Sequence, residues 1–170
     1  MTSLTPYRII SYILLPIAAL LGIFGLGMFV FALVNPVVFI PALTFSCVVV
    51  YIILSFIFFM KAVENNKKCK SSLRKWITST GIISVLFAGT TLFNCISLFY
   101  SPDLISSGIS QSMSMQKNIA AVPMDLMVKV FKGVLYFMVF FAATLIIHVY
   151  ETFKLLKQYA QSFEVNEKQQ

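Results

Sequence analysis

Charged residues are missing from Ile9 to Met60, and the apolar run there is interrupted only by the Asn35-Pro36 step. A second uncharged run extends from Trp76 to Tyr100, and a third has its apolar heart from Gly133 to Tyr150. About 20 helical residues cross the ~30 Å of hydrocarbon in a bilayer. The pattern therefore predicts four membrane-spanning helices, at about 9–34, 37–60, 76–100 and 124–153. Asn-Pro marks a tight turn between the first two. Ser101-Pro102-Asp103 ends the third, and Pro123 opens the fourth, with Asp125 in its favourable first turn. The expected fold class is all-α, an integral membrane bundle of four antiparallel helices occupying 1–157. A 101–122 extracytoplasmic loop and a polar, fraying 158–170 cytoplasmic tail complete the expected layout. The first run is too long for the 7–15-residue core of a signal peptide, and no A-x-A site follows it, so it is expected to stay as a span.

Composition agrees with this reading. Of the 170 residues 59% are hydrophobic and 11% are charged, against about 25% charged in a typical soluble domain. A soluble fold of this size could not hide so much apolar surface. The formal net charge of +7 is not a nucleic-acid footprint, because no basic stripe interleaves with aromatics in a soluble module. It is instead concentrated. Lys61, Lys67, Lys68, Lys70, Arg74 and Lys75 fall between the second and third runs, opposed by Glu64 alone. With Arg8, Lys154 and Lys157 they put nine basic residues on one side, against Lys117, Lys129 and Lys132 on the other. The positive-inside rule then makes both termini and the 61–75 loop cytoplasmic, where the loop meets anionic headgroups or a partner. Small size and the lack of targeting signals suggest a bacterial inner membrane. Tyr7, Trp76, Tyr100 and Tyr150 sit near span ends, where amphipathic rings suit the headgroup level.

Candidate chemistry is sparse. Cys47, Cys69 and Cys95 form no CxxC; they read as reduced thiols, with Cys69 in water. On the third span, Thr80, Ser84, Ala88, Thr91, Asn94 and Cys95 share one face at helical spacing. That face suits either a polar path or a helix seam, and small residues on the first span, Gly22 and Gly25 among them, favour the seam. The fourth span holds the sole histidine, His148, with Glu151 three residues on. An ionisable pair at that depth, opposite Thr80 and Ser84, is a candidate polar site. The competing reading places Glu151 at the water boundary, neutralising Arg8 or Lys154. Met113, Met115, Met124 and Met127 could offer thioethers to Cu(I) but read better as gap-fillers. Between Ser101 and Val122, Leu104, Ile105, Ile109 and Met113 recur at helical spacing, as in a short surface helix.

No H-E-x-x-H, G-x-S-x-G or Walker glycine loop occurs, so the chain leans away from an enzyme, and no cofactor is expected. The leading expectation is a non-enzymatic accessory, regulatory or structural subunit acting through helix–helix or lipid contacts, as a homo-oligomer or with a membrane-protein partner. A small oligomeric transporter or channel, with a polar path along the third and fourth spans, is the alternative. A membrane-embedded enzyme comes third.

Overall fold

The computed structural model describes residues 4–115 and 123–164. The fold is all-α, built on four helices long and apolar enough to cross a membrane. Helix α1 covers Thr5–Ala32, α2 Phe39–Phe58, α3 Ser71–Tyr100, α4 Pro102–Met115 and α5 Met124–Gln158. The chain divides into two compact units: Met1–Phe87 with Thr144–Gln170, and Ala88–Ala143.

In the first unit, α1 buries Tyr7, Ser11, Leu14, Ala18, Gly25 and Ala32. These positions are spaced three, four or seven apart, which is the stripe a helix presents to a close neighbour. The neighbour is α2. A Cβ placed on Gly22 would sit 3.7 Å from Val49 Cγ1, and one on Gly25 would sit 3.8 Å from Ser46 Oγ. Both glycines of the expected packing face therefore lie against α2. The turn between these helices is capped by Asn35, whose Oδ1 accepts the Val37 N–H at 3.2 Å. Lipid tails are as apolar as leucine, so between membrane-spanning helices a contact of this kind rests on close fit rather than on water exclusion.

After Phe58, α2 widens into a π-helical turn, Phe59–Glu64. Both Phe58 and Phe59 are buried there, with Ala62 and Val63. Phe59 packs on Tyr7 with ring centroids 5.1 Å apart. Phe58 stacks on Phe163 at 5.5 Å and 13°. Beyond α5, a 3-10 turn over Ala160–Ser162 leads to a two-residue strand, β2 (Phe163–Glu164), which pairs in parallel with β1 (Cys69–Lys70). Two sequence expectations change here. The segment after Gln158 does not simply fray through Glu164: it returns to the 61–75 loop. Cys69, expected in water, is buried at 4% exposure opposite Phe163. Apolar Phe163 is what charge-based reading of this tail overlooks.

The second unit has its own small core. Cys95 of α3, Ile105 of α4 and Leu135 of α5 are buried together, with Leu98, Phe99, Ile109, Met138 and Val139 against them. The 101–122 segment thus contains a helix whose Ile105 and Ile109 face inward, while Leu104 is exposed. Asp103 lies in the first turn of α4, where a carboxylate suits the helix dipole. The side chains of Met113 and Met115 lie outside the described residues, as does Lys117.

Candidate functional site

Five polar side chains from three helices meet in the first unit: Tyr7 and Ser11 of α1, Tyr51 of α2, and His148 and Thr152 of α5. Each is at most 2% exposed. Their spacing explains the meeting. Tyr7 and Ser11 are one turn apart on α1, His148 and Thr152 one turn apart on α5, so each helix presents a vertical pair. Tyr51 reaches between them from α2.

Donor counting assigns the protons. The Thr152 hydroxyl donates to the His148 carbonyl at 2.7 Å, so its oxygen must accept from both tyrosines. Tyr51 O–H donates to Thr152 Oγ1 at 2.9 Å, and Tyr7 O–H donates to the same atom at 3.2 Å. With its own proton used, Tyr51 can only accept from His148 Nδ1–H, 3.0 Å away. The other ring nitrogen, Nε2, meets the Ser11 hydroxyl at 3.0 Å. Tyr51 thus places a proton on Nδ1, and in the neutral imidazole Nε2 accepts from Ser11; both partners lie on other helices rather than among the sequence neighbours of His148. The Tyr7 ring stacks on the imidazole at 4.9 Å and 13°, while Tyr51 meets it edge-on at 5.7 Å. No described buried side-chain polar atom is left without a hydrogen bond.

The residues singled out from sequence fare differently from one another. His148 lies at the centre of this knot. Glu151 points to the rim, 4.0 Å from Lys154 Nζ, and Arg8 instead pairs with Glu64 at 3.0 Å. Thr80 and Ser84 are buried, but their hydroxyls return to their own helix, Thr80 to the Trp76 carbonyl and Ser84 to that of Thr80. Gly81 between them lets α3 approach: a Cβ there would lie 3.0 Å from Phe153 Cε1 and 3.3 Å from Tyr51 Cε2. Ala88 is fully buried, Thr91 half-buried and Asn94 exposed. Among the basic residues, Lys70 is part of the β1–β2 pairing, opposite Glu164, while Lys67, Lys68, Arg74 and Lys75 flank it in sequence, and Arg74 lies over the Phe163 ring at 5.9 Å.

Sequence reasoning missed Tyr7, Ser11, Tyr51 and Thr152 as partners of His148. Tyr51 carried the available signal, because a phenol in the middle of an apolar span needs a hydrogen-bond partner. Burial pushes the Cys69 thiol up from its usual range, with Lys61 pulling part of the way back. Among the described residues, no three His, Cys, Asp or Glu side chains gather as a metal ion would require. Chemically, the knot can hold three helices in register. Compared with protein-family models, with curated proteins and with solved structures, the chain matches none.

Proposed function

We propose that this multi-pass membrane protein acts as a non-catalytic subunit, accessory, regulatory or structural, through contacts of its helices with other helices or lipid. The observation that carries this reading is the closed knot around His148. Its donors and acceptors are matched within the chain, which suits a packing lock better than a substrate site or a water-filled route. Large apolar side chains on α1, including Leu20, Ile23, Phe24, Leu26 and Phe31, face outward instead. A groove lined by Ile23, Phe24, Gly27, Met28, Phe31 and Val38 fits lipid contact. The nine-to-three split of basic residues near the span ends supports cytoplasmic termini and a cytoplasmic 61–75 loop, and the small size of the chain suits a bacterial inner membrane. That loop is suited to anionic headgroups, at about 1 kcal/mol per basic residue.

Crosslinking in native membranes followed by mass spectrometry tests this function. It is expected to recover either a second copy or a distinct membrane protein. Recovery of neither would overturn the reading. Solute flux into liposomes that disappears in His148→Ala would overturn it in favour of transport.

A further inference from the structure

Asn94 is out of keeping with its surroundings. It is exposed, and its carboxamide makes no hydrogen bond to any described residue. Cys95, one residue and so about 100° further round the helix, is buried with Ile105 and Leu135. The core of the second unit therefore uses a different face of α3, and Asn94 projects away from it.

Depth makes this consequential. Six residues separate Asn94 from Tyr100, which is about 9 Å at 1.5 Å per residue, and Trp76 lies about 27 Å the other way. If those two rings mark the headgroup levels, the amide is inside the hydrocarbon. Nor can it climb out. A helical Cβ leans toward the helix N-terminus, and for α3 that direction leads away from Tyr100 and deeper into the bilayer. A carboxamide presents two donors and an acceptor, and lipid tails can meet none of them.

We infer that the outer half of α3 around Asn94 is the surface on which two copies of this chain associate, joined by an Asn94–Asn94 hydrogen-bond pair. This rests on the proposed role of the chain in helix–helix contact and names the surface. Copies related by an axis along the membrane normal place identical residues at identical depth, so Asn94 meets Asn94. The group is self-complementary: each Nδ2–H donates to the other's Oδ1. Thr90, one turn before, and Ser97, one turn after, are exposed and small, and small residues let helices approach closely. The Ser97 hydroxyl is already bonded to the Phe93 carbonyl at 2.9 Å, so it makes no polar demand of its own on the seam.

The test is energy transfer between donor- and acceptor-labelled full-length protein in phosphatidylcholine–phosphatidylglycerol vesicles, diluted with lipid. Wild type is expected to self-associate. Asn94→Leu should weaken association by about tenfold, the change expected when interhelical hydrogen bonds are lost. Asn94→Gln keeps the amide and should recover most of it. Because the site is exposed, Asn94→Leu should melt like wild type, which separates loss of association from loss of fold. A wild type that stays monomeric at high density overturns the inference, as does Asn94→Leu associating normally or Asn94→Gln failing to recover. If native-membrane crosslinking then still recovers a different protein, the broader functional reading survives and only this seam is removed.

Discussion

The hydroxyls of Tyr7, Ser11 and Tyr51 reach other helices, whereas those of Thr78, Thr80, Ser84 and Ser97 return to their own. Thr152 does both. In a list of polar residues within apolar spans the two groups look alike, yet their mechanical meaning is opposite. A hydroxyl bonded to the carbonyl one turn earlier is satisfied whether or not the helices are assembled. A hydroxyl that needs an imidazole from a helix 137 residues further along the chain is satisfied only in the folded bundle. Tertiary specificity therefore belongs to the first group.

Removing the hub is the most severe way to test that contrast. His148→Ala deletes the partner of Ser11 and Tyr51 and leaves a hole beneath the Tyr7 ring. We expect a loss of about 2–4 kcal/mol, combining a cavity with unpaired polar groups, measured by denaturant or thermal unfolding in detergent. A loss no larger than that of Ser84→Ala would break the comparison.

The same distinction applies at the basic end of the first unit, where Phe163 ties residues beyond α5 back to Cys69 and Phe58. Phe163→Ala should open this tie and speed maleimide labelling of Cys69 by about tenfold, equivalent to about 1.4 kcal/mol. The pH dependence has a definite sign. Burial holds the Cys69 thiol above its usual pKa, so less thiolate is present at a given pH, and the labelling rate should climb at higher pH than for a free thiol. Opening the tie should move that profile to lower pH. Unchanged rates and profile would mean that Phe163 does not cover Cys69 in solution.

Within the knot, the two tyrosines sharpen the contrast further. The Tyr51 hydroxyl accepts from His148 and donates to Thr152, while that of Tyr7 donates to Thr152 alone. Tyr51→Phe strands the Nδ1–H and should cost about 1–2 kcal/mol. Tyr7→Phe leaves Thr152 with one donor still in place and should cost less than about 1 kcal/mol. Equal costs would contradict the proton assignment.

How much of this could be read from residues alone follows the same division. Long charge-free runs and Pro punctuation gave the helices, because span length and composition are local properties. On α3, Ala88 and Cys95 are buried while Asn94, about 100° from Cys95, is exposed, so helical spacing alone does not say which edge of a polar face turns inward. His148 was visible as the sole intramembrane histidine, but its sequence neighbour Glu151 was a poor guide to its partners. Those partners lie 97 and 137 residues away, and periodicity within one helix carries no information about which rotation of another helix it will meet. The return of Phe163 to β1 is illegible for a related reason: a few scattered apolar residues in a polar tail set no period.

The smallest expected effect is also the most discriminating, because it concerns residues a sequence reader would rank among the most functional. Thr80→Val and Ser84→Ala remove buried hydroxyls from the middle of the bundle, which in a general argument about buried polar groups should be costly. Here each hydroxyl is a second donor to a carbonyl in its own helix, 2.7 and 2.8 Å away, and no partner on another helix loses a bond. Valine also keeps the shape of threonine. Each change should therefore stay within about 0.5 kcal/mol of wild type, read from the same unfolding curves as His148→Ala. A larger loss in either would mean that the hydroxyl serves a contact across helices, and α3 would then belong with the knot rather than apart from it.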